Sequence, residues 1–216
     1  MKLRLVLITL AISLLLTIPA FAADIVLYDD GPINGQYNAL FIDGPNGQIF
    51  NQSISDGFVA TGSGPASRFD FGVWVPSGEV PTTFTWWLGT SAFAGDLGSA
   101  TVNNPAYDLV IANNQYGYDV YNVHITGLTG NITAGQTYWL SLGNGNDNFQ
   151  DSFVGWDANL GAATCNFMQG GVNYGDCGAG GGNAFTLYGT PEPGTMVMLG
   201  GGILAAAGAL RRKLGF

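Results

Sequence analysis

The stretch Arg68-Phe69-Asp70-Phe71-Gly72-Val73-Trp74-Val75 decides the fold class. Phe69, Phe71, Val73 and Val75 alternate with Arg68, Asp70, Gly72 and Trp74. A hydrophobic period of two sends the first set to one face of a β-strand and the second to the other, whereas a helix would scatter both around its axis. The same period returns on either side. Thr83 to Leu88 places Phe84, Trp86 and Leu88 on one face, and Gln136 to Leu142 does so with Tyr138, Leu140 and Leu142. Between Tyr116 and Ile125 the phase changes: Tyr118 and Val120 share one parity, and Tyr121, Val123 and Ile125 share the other. A β-bulge is therefore expected near Val120 and Tyr121. Shorter candidates are Ile25 to Tyr28, Leu40 to Ile42, Gly57 to Ala60, Leu109 to Ala112, Phe153 to Trp156 and Ala184 to Tyr188. Gly, Asn, Asp and Pro punctuate the chain between them, and Gly178 to Asn183 reads as a loop before the last strand. About nine or ten strands with no helical period outside the termini predict one all-β domain, an antiparallel β-sandwich or jelly roll, over residues 23–190.

The charges are unevenly placed. The 216 residues carry 15 acidic and 6 basic side chains, a formal charge of -9, and only 10% of positions are charged. Lys2, Arg4, Arg211, Arg212 and Lys213 lie at the two ends, so residues 24–190 hold 14 acids against Arg68 alone, a net of -13. Such a body repels a phosphate backbone, which excludes nucleic acid as a partner. One His and two Cys exclude a zinc site built from those two residue types.

Both ends read as addresses. Lys2 and Arg4 precede an apolar run from Leu5 to Ile18, and Ala20-Phe21-Ala22 supplies the small-x-small pattern that signal peptidase reads. Residues 1–22 are expected to be a signal peptide cleaved after Ala22; an uncleaved anchor is the competing reading. At the other end Pro191-Glu192-Pro193-Gly194 is followed by an apolar stretch from Thr195 to Leu210 and then by Arg211-Arg212-Lys213. As a helix the stretch covers about 24 Å, short of a hydrocarbon core of roughly 30 Å, so a short C-terminal transmembrane helix is expected. The basic cluster stays in the cytoplasm by the positive-inside rule, which puts residues 23–190 outside and agrees with the signal peptide.

Residues 191–216 resemble the PEP-CTERM protein-sorting signal of Gram-negative bacteria. The resemblance rests on Pro191-Glu192-Pro193, the short Gly-rich apolar segment and the terminal Arg211, Arg212 and Lys213. It implies recognition by an exosortase, a membrane-embedded cysteine transpeptidase-like enzyme that in that family cleaves near the motif and releases or transfers the exported protein. The chain is then expected to cross the inner membrane, to be held by its C-terminal anchor, and to pass to the cell surface or extracellular matrix. An ordinary tail anchor, with Pro-Glu-Pro acting only as a helix-breaking linker, is the alternative. The body also resembles the β-rich ectodomains of exported proteins that carry such tails, in Tyr28-Asp29-Asp30-Gly31-Pro32-Ile33-Asn34-Gly35, Phe71-Gly72-Val73-Trp74, Tyr116 to Tyr121 and Thr137-Tyr138-Trp139-Leu140. That likeness implies a β-sandwich and no particular activity.

Cys165 and Cys177 form an even pair in a chain read as exported, so a disulfide is expected. Closing this 13-residue loop is worth roughly 3 kcal/mol in the chain-entropy model. Neither a Cys-x-x-Cys spacing nor a nucleophile elbow is present, and lone His124 reads as a hydrogen-bonded strand residue, so no enzymatic activity is expected. For a cofactor the candidate is Ca2+. Asn144, Asn146, Asn148 and Asp151 offer oxygen ligands in a Gly-containing segment, Asp29-Asp30 is a second acidic cluster, and turn formation by Asn and Asp is the competing explanation. Trp74, Trp87, Trp139 and Trp156 lie opposite the inferred core faces or near loops. They are candidates for stacking on sugar rings of an extracellular polysaccharide, against the alternative that they fill a second sheet interface.

Overall fold

The computed structural model of the chain describes residues 24–36, 38–43, 51–149, 153–159, 161–177 and 181–190. The expected signal peptide and the C-terminal sorting and anchor segment lie outside these residues. Fourteen strands are present among the described residues: β1 (Ile25–Asp29), β2 (Asn38–Phe41), β3 (Gln52–Val59), β4 (Gly64–Pro76), β5 (Pro81–Gly89), β6 (Gly98–Asn103), β7 (Ala106–Ile111), β8 (Tyr118–Thr126), β9 (Asn131–Ile132), β10 (Thr137–Asp147), β11 (Gly155–Ala158), β12 (Thr164–Gln169), β13 (Val172–Asp176) and β14 (Phe185–Gly189).

They form two antiparallel sheets, a β-sandwich as the sequence predicted. The larger has eight strands centred on β4. One edge of β4 pairs with β8, which carries β7, and the other pairs first with β14 and then with β11. The six-stranded sheet runs β13-β12-β3-β10-β5-β6. The alternation in Arg68 to Val75 works as read: Phe69, Phe71, Val73 and Val75 have no exposed surface. Facing them from β5 are Phe84, Trp86 and Leu88, also buried. Phe71 meets Phe84 edge-on at 5.1 Å between ring centroids, and Phe69 meets Trp86 at 5.9 Å. Each such side chain contributes roughly 1.5–3 kcal/mol by leaving water, and the edge-to-face geometry adds to it.

The expected bulge in β8 is absent. β4 and β8 pair without interruption from Arg68↔Thr126 to Pro76↔Tyr118. The irregularity lies in the neighbouring strand β7, where the register shifts between Leu109 and Ile111 opposite Tyr121 and Val120. The phase change has another cause, apolar cover on both faces. Tyr121, Val123 and Ile125 belong to the main core, while Val120 packs on the outer face with Trp74 and Ala39 in a second cluster.

Cys165 and Cys177 are joined by a disulfide. The segment they enclose, read from sequence as a loop, is a hairpin of β12 and β13. Its turn is Gly170-Gly171, at φ +57° and +82° between the paired residues Gln169 and Val172. A two-residue turn with both φ positive matches the twist of the flanking strands and favours glycine.

Candidate functional site

The second cluster marks the feature most like a binding site. Gly72 on β4 leaves room on the outer face of the eight-stranded sheet: a Cβ there would stand 2.7 Å from Cβ of Asp157 and 3.0 Å from Cγ2 of Ile33. The loop from Gly31 to Gln36 is laid over that face and fastened by Asp157. The Asp157 carboxylate accepts hydrogen bonds from the backbone N–H groups of Asn34 (2.9 Å) and Gly35 (3.3 Å) and from the indole N–H of Trp74 (2.7 Å). Burial pushes the Asp157 carboxyl above the usual carboxylate range, against the three donors that pull it down.

Beside this roof lies a pocket of about 260 Å³ lined by Asn38, Ala39, Phe41, Trp74, Tyr116, Tyr118 and Phe153. Five rings follow one another in contact. Tyr116 stacks on Trp74 (5.6 Å, 26°), Trp74 meets Tyr118 (5.8 Å, 38°), Tyr118 meets Phe153 (4.8 Å, 52°), and Phe153 meets Phe41 edge-on (4.7 Å, 80°). The Tyr116 hydroxyl donates to the carbonyl of Gln36 (3.3 Å), and Asn114 and Gln115 donate to the carbonyls of Gly35 and Gln36. The loop bearing Tyr116 is thus tied to the roof.

Of the four tryptophans singled out in the sequence, only Trp74 borders this pocket, and it is 3% exposed. Trp156 corrects the expectation of an exposed platform. It pairs with Val73, faces the main core with no exposed surface, and donates its indole N–H to the carbonyl of Ala184. Trp87 and Trp139 sit half-buried on the outer face of the six-stranded sheet, spread over glycines. A Cβ on Gly57 would meet the Trp139 ring at 2.8 Å, and one on Gly143 the Trp87 ring at 3.4 Å. Ser55 and Ser141 lie beside them, their hydroxyls 2.7 Å apart, and both stand within hydrogen-bonding reach of the Phe93 N–H, so the Phe93 loop covers the strip next to both indoles.

The segment offered as a calcium loop is strand through Asp147. The Asn144 amide donates to Thr85 Oγ1, the Asn146 amide donates to the carbonyl of Asn144, and the Asn148 side-chain oxygen accepts the Val80 N–H. Asp151 lies outside the described residues. Among the described residues no group of three or more His, Cys, Asp or Glu side chains is gathered for a metal. Asp30 of the Asp29-Asp30 cluster is tied within its own segment and to the one before β12. It accepts from the Tyr28 hydroxyl (2.5 Å) and the Ala163 N–H (2.9 Å). Asp56 nearby, with no exposed surface, accepts from the backbone and side-chain amides of Asn183.

Residues 190–213 match the family model described as the PEP-CTERM protein-sorting motif. The chain carries a PEP-CTERM sorting motif. The matched span takes in Pro191, Glu192, Pro193, Arg211, Arg212 and Lys213, all outside the described residues. It begins at Thr190, directly after β14 ends at Gly189. No curated protein and no solved structure matches the chain. The motif is legible whole in the sequence, and Trp74 is among the tryptophans singled out there, but Phe41, Tyr116, Tyr118 and Phe153 are not among the candidate residues. With Trp74 they come from four separate segments, and only the pairing of β2, β4, β8 and β11 brings them together. The excess of apolar parity around Val120 was the available signal that the outer face carries a cluster of its own.

Proposed function

We propose that the chain is an exported, non-enzymatic protein of the cell surface or extracellular matrix, directed there by exosortase processing of its C-terminal segment. The sorting motif at residues 190–213, placed directly after the last strand of a β-sandwich, carries this reading. The Cys165–Cys177 disulfide fits an oxidising compartment outside the cytoplasm. His124 fits a structural role, since both ring nitrogens are taken, Nδ1 by Asp70 at 2.9 Å and Nε2 by Asp108 at 3.1 Å. Signal peptidase would remove residues 1–22, and the apolar stretch from Thr195 to Leu210 would hold the chain in the membrane until exosortase acts. Changing Arg211, Arg212 and Lys213 together to Glu inverts the charge that keeps this end in the cytoplasm. The unprocessed chain is expected to accumulate, as read by mass and by membrane fractionation. A mature product of unchanged mass and location would contradict the reading.

A second reading, contact with extracellular polysaccharide, is favoured by the ring-lined pocket on the eight-stranded sheet.

A further inference from the structure

Resting on that second reading, we infer that the pocket formed by Phe41, Trp74, Tyr116, Tyr118 and Phe153 with Asn38 holds one residue of an uncharged polysaccharide, its C–H face against the rings. The lining decides the chemistry. None of the seven lining residues is charged, and the body around them carries a net of -13, so an anionic polymer has no counter-charge here and meets a repulsive field. Rings alone would suit any apolar group. Beside them, however, stand the Asn38 amide and the Tyr118 phenol, which can accept and donate, and the Tyr116 oxygen, whose proton goes to Gln36 and which can still accept, as hydroxyls on a sugar rim require. A pyranose presents that pairing, with apolar C–H bonds on its faces and hydroxyls around its edge. Tyr116 is 54% exposed although one face is stacked on Trp74, which leaves the other face open to a ligand. At about 260 Å³ the pocket suits a single residue of a longer chain.

The rings are set before any ligand arrives. Asp157 fixes the Trp74 indole, Trp74 supports Tyr116, and the Tyr116 hydroxyl is tied to Gln36. Little side-chain freedom is left to lose on binding, which is the condition for a shallow site to hold a weakly bound, repeated ligand.

The test is native affinity electrophoresis of the exported protein through gels containing, in turn, a β-glucan, an α-glucan, a mannan, a xylan, a galactan and anionic alginate. Retardation is expected in at least one neutral gel and not in alginate. Tyr116→Ala, whose thermal midpoint is checked to stay near that of the unaltered protein, is expected to weaken the retardation constant about tenfold. Asn38→Ala is expected to weaken it by a smaller factor, and Val172→Ala, at an exposed position on the other sheet, to leave it unchanged. Retardation that Tyr116→Ala leaves intact would overturn the assignment of the pocket while sparing the carbohydrate reading. Retardation by alginate alone would overturn the neutral ligand. The absence of retardation in every gel would end both.

Discussion

Asp157→Ala is expected to lower the thermal midpoint of the protein by about 10 °C. The carboxylate is buried and accepts three hydrogen bonds, from Asn34 N–H, Gly35 N–H and the Trp74 indole. Removing it strands three donors away from water, each at about 1–3 kcal/mol, and frees the loop that covers the outer face. For a domain of this size about 1 kcal/mol corresponds to about 2–4 °C. Asp157→Asn keeps one acceptor oxygen and should fall between the two. The comparison is Asp96→Ala. Asp96 also accepts two hydrogen bonds, from Thr90, but on an exposed turn where water replaces them, so its loss should cost far less. Equal effects at the two positions would show that Asp157 is not the fastening point.

Stability is expected to increase as pH falls from 8 to about 5.5. Burial raises the carboxyls of Asp30, Asp56 and Asp157 above the ordinary range, and the neighbouring charges add to it for Asp30 and Asp56. For His124, burial alone would lower the pKa, but hydrogen bonds and charge from Asp70 and Asp108 outweigh it and raise it. In all four the native state holds its proton more tightly than the unfolded chain. The stabilisation is therefore full below the unfolded pKa, about 3.9 for Asp and 6.5 for His, and is lost as pH rises through the higher native value. Asp119 behaves in the opposite sense. Burial raises it, but the N–H groups of Gly78 and Asn113 and the Ser77 hydroxyl more than reverse that, so its contribution is present above about 3.9 and disappears as pH falls through the lower native value. Thermal midpoints should thus be higher at pH 5.5 than at pH 8 and decline below about pH 4. Asp56→Asn should flatten the alkaline arm. A profile flat from pH 5.5 to 8 would contradict the account of these buried acids.

These acids also show where sequence reading reached its limit. The two-residue period in Arg68 to Val75, Thr83 to Leu88 and Gln136 to Leu142 exposed the sandwich because packing follows hydrophobic parity almost directly. Parity is silent where strands are polar on one face or short. β3 begins at Gln52 rather than at Gly57 because Ser53, Ser55 and Gly57 face outward under neighbouring side chains while Asp56 faces the core on hydrogen bonds to Asn183. The hairpin inside the disulfide hid behind its glycines, although Gly170-Gly171 is itself a turn signal. Among the acids of the body the sequence singles out only Asp29-Asp30 and Asp151, as cation ligands or turn formers. Asp30, Asp56, Asp119 and Asp157 are buried fasteners of loops, a use that depends on which N–H groups tertiary contact brings to them. The sorting motif was legible in full because it is read as a linear segment and needs no fold.

The intact mass of the mature protein isolated from its native host tests the central claim most directly. The predicted mass lacks residues 1–22, lacks the basic cluster at Arg211-Arg212-Lys213 with the apolar segment before it, and is two hydrogens light for the closed Cys165–Cys177 bridge. A product retaining Thr195 to Phe216 would contradict processing at the PEP-CTERM motif, and one retaining residues 1–22 would contradict export through a cleaved signal peptide.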